Sequence, residues 1–173
     1  MLSGETAIGA SPVRAAEAAI RICRAAEAAG AAVALGEDLP DADGDPVANA
    51  ATALASDPGV VALIVAGPDG AAAAAVAGRR PSVPVIAIVA DHALARRLVA
   101  CRGLVPVVPA EPGLAARAAA VPAVRLVEDP AVARRIPFHG RLVVLTTPGG
   151  AIASRLEVVD ATPTGARLAA AQS

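Results

Sequence analysis

Three uninterrupted apolar runs, Val60–Val65, Val83–Val89 and Leu104–Val108, constrain this chain more than any other feature. Runs of this length without polar alternation mark strands buried on both faces. The segments between them, Asp69–Ala77 and Asp91–Ala100, read as helices, the second with Arg96 and Arg97 turned outward. Strand, helix, strand, helix, strand at this spacing gives βαβ crossovers and a parallel sheet covered on both faces. Two more strands follow at Arg141–Thr146 and Ser154–Val159, separated by the turn Pro148-Gly149-Gly150. That connection is too short for a parallel crossover, so the last two strands run antiparallel. The predicted class is α/β, a three-layer arrangement in which helices flank a mainly parallel five-stranded sheet that ends in a C-terminal antiparallel hairpin.

The rest of the chain organises around that sheet. Ser11 followed by Pro12 is a helix start, with a side-chain acceptor at the cap and a proline where the missing N–H costs nothing. The spacing of Val13, Ala16, Ile20 and Cys23 carries an amphipathic helix through residues 11–36. Residues 37–45 hold five acidic side chains with Pro40 and Gly44 and no periodicity, which reads as a solvated linker. Pro46–Leu54 is a second helix, capped by Asp45 and left through Ser56-Asp57-Pro58-Gly59. The α/β domain proper covers 46–160. Within it, prolines interrupt residues 109–135, where Gly113–Ala120 and Asp129–Arg135 read as short helices. Residues 161–173 form a tail expected to fray.

At 173 residues the length fits one domain whose core needs no disulfide or metal staple. The apolar side chains are Ala, Val, Leu and Ile, with Phe138 the sole aromatic, so helices must approach closely to gain contact area. Cys23 and Cys101, far apart and without a Cys or His companion, read as reduced, buried thiols. Charges or turn residues interrupt every run long enough to span a membrane, and Met1–Gly9 shows no secretory leader pattern, so the expected location is the cytoplasm. A net charge of -1 gives no general drive towards nucleic acid. The 15 basic residues are all arginines, so there is no lysine for Schiff-base, general-base or compact phosphate chemistry.

Several stretches in order carry a resemblance. Met1-Leu2-Ser3-Gly4-Glu5-Thr6-Ala7-Ile8-Gly9, with the Ser11-Pro12 helix behind it, resembles the signature that closes the catalytic barrel of pyruvate kinase. Arg80-Pro81-Ser82-Val83-Pro84-Val85-Ile86-Ala87-Ile88 is similar to a strand entry of that family. Ala95-Arg96-Arg97 and Arg102-Gly103-Leu104-Val105-Pro106-Val107 are similar to its following helix and strand, and Arg141–Thr146 with Arg155–Val159 to its final hairpin. The resemblance implies the C-terminal domain of that family, with residues 1–10 a remnant of the barrel signature and 11–36 the connecting helix. The parent reaction it implies is phosphoryl transfer between phosphoenolpyruvate and ADP in glycolysis, giving pyruvate and ATP with magnesium and potassium, in a cytoplasmic homotetramer. The family's barrel, lid, catalytic lysine and metal ligands all lie upstream of the matched stretch.

The site residues follow from the same match. Ser3 and Glu5 correspond to positions on the active-site floor, a catalytic role that needs a complete barrel. The family's sugar-phosphate effector site lies in this domain, at a loop after the first strand and another near the last hairpin. Here the first loop is Ala66-Gly67-Pro68-Asp69-Gly70, where Pro68 lacks an N–H and Asp69 brings a like charge. Thr146, Thr147, Gly149 and Gly150 make the better anion-binding loop, and Gly70 of the first loop is the remaining effector-binding candidate. The arginine pairs Arg79/Arg80, Arg96/Arg97 and Arg134/Arg135 suit solubility and interface ion pairs better than a phosphate clamp. His92 and His139 have no acid–base partner in sequence. The leading expectation is a regulatory and assembly domain, inactive alone and needing no cofactor of its own. It would join a homo-oligomer through helix and sheet-edge surfaces, with no membrane partner. A free-standing phosphometabolite-binding module of the same fold is the alternative. An enzyme with its own chemistry at the strand ends ranks last, for want of a paired acid and base, a metal cluster or an activated nucleophile.

Overall fold

The computed structural model of the protein describes residues 3–28, 46–136, 139–149, 155–162 and 165–168. The far end of the helix expected over 11–36, the acidic linker with Asp45, and Gly150 lie outside them. The chain divides into two compact units, Met1–Ala42 and Asp43–Ser173.

In the first unit, the segment around Gly4 forms one helical turn, α1 (Gly4–Ala7). Thr6 Oγ1 donates to the Ser3 carbonyl at 3.1 Å, and Ala7 N–H donates to the same oxygen at 2.9 Å. The next helix, α2 (Pro12–Ala28), starts where Ser11-Pro12 placed it. Ala15, Ala16, Ala18 and Ala19 are half-buried, whereas Val13, Ile20 and Ile22 are 68%, 51% and 69% exposed. Cys23, expected to be buried, is also exposed. Among the described residues the unit offers α2 only the one-turn α1 to pack against, too little to cover a stripe five turns long.

The second unit is the α/β domain. Its elements run α3 (Pro46–Leu54), β1 (Val60–Ala66), α4 (Ala71–Gly78), β2 (Val85–Ile88), α5 (His92–Leu98) and β3 (Leu104–Val107). A 3-10 turn at Ala118–Ala120 follows, then α6 (Ala123–Glu128), α7 (Pro130–Ala133), β4 (Gly140–Thr146), β5 (Arg155–Thr162) and β6 (Gly165–Leu168). The sheet order is β3-β2-β1-β4-β5-β6. The pairs β1–β2, β2–β3 and β1–β4 are parallel, and β4–β5 and β5–β6 are antiparallel. This is the expected mainly parallel sheet with its terminal antiparallel pair, lengthened by one strand: β6 and the end of β5 occupy part of the segment read as a frayed tail.

Period-two alternation divides the strand side chains between two cores. Leu63, Val65, Val85, Ala87, Val143 and Leu145 pack with α3, α4 and Leu98 of α5 on the first face. Ala62, Ile64, Ala66, Ile86, Ile88, Leu142 and Val144 pack with Leu114, Ala118, Leu126 and Val132 on the second. Crossovers through α4 and α5 move outward from β1 to β3 on one face, and the chain returns to β4 across the other, which winds the sheet in both directions. The helices are alanine-rich where they meet the sheet, as at Ala48, Ala51, Ala72, Ala73 and Ala77, so backbones come close without bulky side chains between them.

The return from β3 to β4 is where local expectation and structure part. Only residues 118–120 of the expected Gly113–Ala120 helix are helical, as a 3-10 turn, and α6 takes a stretch with no strong periodic signal. Polar clasps hold this region instead. The Asp129 carboxylate, 5% exposed, accepts from Ala110 N–H (3.0 Å), Glu111 N–H (3.0 Å), Ala131 N–H (2.9 Å) and Val132 N–H (3.4 Å). Burial pushes this carboxyl up, but its four backbone donors outweigh burial and hold it below the ordinary aspartate range.

Candidate functional site

A doubly wound sheet offers a ligand crevice where strand order reverses, outside the carboxyl ends of the strands on either side of the reversal. Here those strands are β1 and β4, which end in register at Ala66 and Thr146. The loops leaving them are Gly67-Pro68-Asp69-Gly70 and Thr147-Pro148-Gly149, so the structure brings together the two effector loops read from sequence.

Their geometry closes the crevice from within. Thr147 N–H donates to the Ala66 carbonyl at 3.0 Å, carrying the β1–β4 ladder one step past the strands. The Thr147 side chain is 2% exposed, and its methyl lies on the Gly67 backbone where any Cβ would collide with it. Its hydroxyl accepts from Gly149 N–H at 3.1 Å and lies 3.2 Å from the Gly149 carbonyl, which binds it into its own turn. On the other side, Ala71 N–H at the start of α4 donates to Asp69 Oδ1 at 3.1 Å. Gly70 is left-handed, with φ 70°, and a Cβ there would stand 2.6 Å from Leu98 Cδ1. A Cβ on Gly149 would stand 3.7 Å from Pro68 Cγ and 3.9 Å from Asp69 Oδ2, so the two loops face each other.

Two backbone donors suited to an anion are therefore already used by side chains, and an exposed carboxylate stands at the mouth. Both donors would have to leave their side-chain acceptors before serving a phosphate dianion. Thr146 is buried in β4, on the second face opposite Arg155 of β5, and not in the turn with Thr147.

Ser3 and Glu5 meet each other in the first unit. Ser3 N–H donates to Glu5 Oε2 at 3.3 Å, and backbone hydrogen bonding, first at Glu5 itself and then at Ser3, holds the exposed Glu5 carboxyl below its ordinary value. Among the described residues no group of three His, Cys, Asp or Glu side chains is placed to hold a metal. His92 and His139 are both exposed. No described helix is long and apolar enough to cross a membrane. Sequence reading missed two polar anchors, Asp129 and Arg155. Asp129 before Pro130 is legible as a helix cap, but its bonds to residues 110 and 111 are not.

Comparison with known proteins agrees with the fold. Residues 45–152 match the family model described as "Pyruvate kinase, alpha/beta domain". The chain is 35% identical over 118 residues to a pyruvate kinase of Agaricus bisporus, an alignment covering 65% of this chain and 22% of that protein. It is also 35% identical over 115 residues to a pyruvate kinase of Dictyostelium discoideum, covering 61% of this chain and 23% of that protein. The chain thus spans less than a quarter of the length of these relatives.

Proposed function

The chain belongs to the pyruvate kinase family, whose C-terminal alpha/beta domain it carries, and from this premise we propose that it is the assembly and regulatory domain of such an enzyme and transfers no phosphoryl group alone. The parent reaction, with its magnesium, potassium and ATP chemistry and its place in glycolysis, belongs in this reading to a barrel that this chain does not supply. Phosphoryl transfer depends on positioning and on neutralising charge around metal-bridged oxygens. The described residues gather no such carboxylates, the sequence has no lysine, and Ser3 and Glu5 serve their own turn.

The assembly half rests on surface. Val13 and Ile20, two turns apart, leave apolar surface open on one side of α2, with Ile22 exposed further round the helix, and β3 and β6 present sheet edges, features suited to a homo-oligomer such as the family's tetramer. The balanced charge supports the reading of a chain with no nucleic-acid partner, and the proposed parent reaction supports a cytoplasmic site of action.

For regulation, the interlocked switch-point loops carry the argument. With Thr147 filling its own turn and Asp69 at the mouth, the chain binds sugar bisphosphates weakly or not at all. Calorimetry of the purified chain with fructose bisphosphate tests this, and micromolar affinity would overturn it. A coupled assay with phosphoenolpyruvate, ADP, magnesium and potassium should yield no pyruvate; turnover at the level of a native enzyme would end the claim of dependence on a barrel. The second reading, a free-standing phosphometabolite-binding module, draws support from the position of Thr147 and Gly149 at the carboxyl ends of the strands. The same micromolar result would put it first.

A further inference from the structure

Residues 111–121 leave the end of β3 as a series of turns and end in the 3-10 turn, with no α-helix or strand of their own. They nevertheless cross much of the sheet. The start of the segment follows β3 at one edge, and its far end is bonded to Arg155 on β5, with β2, β1 and β4 lying between in sheet order. At about 4.8 Å per strand the crossing is roughly 19 Å, within easy reach of such a segment. Its buried anchors are few and mostly small: Leu114, Ala115 and Ala118, in the same cluster as Ala66 at the end of β1.

Side chains hold it at each end. At the start, Asp129 takes the N–H groups of Ala110 and Glu111, and Glu111 in turn pairs with Arg117 and Arg125. At the far end, Arg155 Nη2 donates to the Val121 carbonyl and lies 3.5 Å from the Ala118 carbonyl. Glu157, two residues along β5 on the same face, stands 2.7 Å from Arg155 Nε and aims the guanidinium, although the contact lacks hydrogen-bond angles. Of the fastenings named here, Arg155 alone joins the segment to the sheet; the others join it to its own connection.

We propose that residues 111–121 form a strap over the second face at the carboxyl ends of the strands, and that Arg155 is the latch that keeps it shut. With the latch released, the strap lifts by local unfolding while the first-face layer of α3, α4 and α5 stays packed. A segment with few apolar anchors and little regular hydrogen bonding belongs to the least protected part of a domain. This makes Arg155 a positioning residue whose effect is confined to one layer.

Hydrogen exchange followed by mass spectrometry on the full chain tests it. In the wild type, peptides within 111–121 should exchange ahead of those from β1 and β4, through openings insensitive to low denaturant. In Arg155→Met, those peptides should exchange about tenfold faster or more, while α3 and α4 peptides stay within twofold. Arg155→Lys keeps a positively charged donor but loses the planar guanidinium whose Nε lies beside Glu157 while Nη2 reaches the Val121 carbonyl, and should give a smaller acceleration at the same peptides. Wild-type protection of the strap equal to that of β1 and β4 would refute the strap, and this needs no variant to fold. Equal acceleration across both layers, or none at the strap, would refute the latch.

Discussion

Replacing Asp129 by alanine should be among the most damaging single changes in the α/β domain. The carboxylate caps α7 through Ala131 and Val132, and loss of such a cap costs about 1 kcal/mol. It also takes two long-range N–H groups, from Ala110 and Glu111, each at 3.0 Å. A hydrogen bond to an ionised acceptor contributes about 1.5 kcal/mol or slightly more, and water reaching the exposed Ala110 side would recover part of it. The expected loss is about 3 to 4 kcal/mol, a large share of the roughly 5 to 15 kcal/mol that holds an ordinary domain together. Asp129→Asn keeps one acceptor oxygen but turns an amide towards the donors, and should lose about half as much. Urea unfolding followed by far-ultraviolet circular dichroism is the assay, because the chain has no Trp or Tyr to report by fluorescence. The effect should also depend on pH. The native carboxyl lies below the unfolded value of about 3.9, so its contribution is complete above that value and is lost as pH falls through the native one. The gap between wild type and Asp129→Ala should therefore be widest near neutrality and shrink in acid. A difference within about 0.5 kcal/mol near neutrality would show that solvent serves these donors as well as the carboxylate does.

Other substitutions probe separate parts of the argument. Gly67→Ala places a methyl against the Thr147 side chain and should cost about 1 to 3 kcal/mol in the same urea experiment; a neutral result would mean that the two loops do not interlock. Arg80 is exposed and left-handed at φ 52°, so Arg80→Gly should gain about 0.5 to 1 kcal/mol, and a loss would point to an unseen role for its side chain. Arg141→Ala removes a 2.6 Å ion pair with Asp57 at the surface, and a thermal melt should show a change of about 1 kcal/mol or less that shrinks further with salt.

The parts of this fold legible in sequence are those where one chemical rule acts alone. Val60–Val65 could only be a doubly covered strand, and Ser11-Pro12 marks the helix start at which α2 begins. The β3–β4 connection was illegible because its shape is set by partners distant in sequence: Asp129 reaching residues 110 and 111, and Arg155 reaching 118 and 121. The strand β6 carries Gly165 and no alternating pattern, and it exists through its ladder with β5, from Val159–Leu168 to Thr162–Gly165. The candidate site was legible in its residues but not in their use. Residue type and position make Thr147 and Gly149 candidate donors to a ligand, and the fold sets them to satisfy each other. Cys23 failed for a different reason, since an apolar periodicity says which residues seek cover and not whether the same unit supplies it.

The place of β1 in the sheet also governs how quickly this domain can assemble. Its pairing with β2 closes over one helix, whereas its pairing with β4 must wait for the whole intervening connection; the Asp57–Arg141 clasp beneath that pairing joins residues 84 apart. Closing so long a loop costs entropy before the central ladder returns any contact, so the search for the β1–β4 register is the natural bottleneck on the way to the native state. Until β4 docks, one edge of β1 stands bare with Leu63, Ile64 and Val65 along it, and that interval is when a growing or refolding chain is most exposed to wrong pairing with another copy.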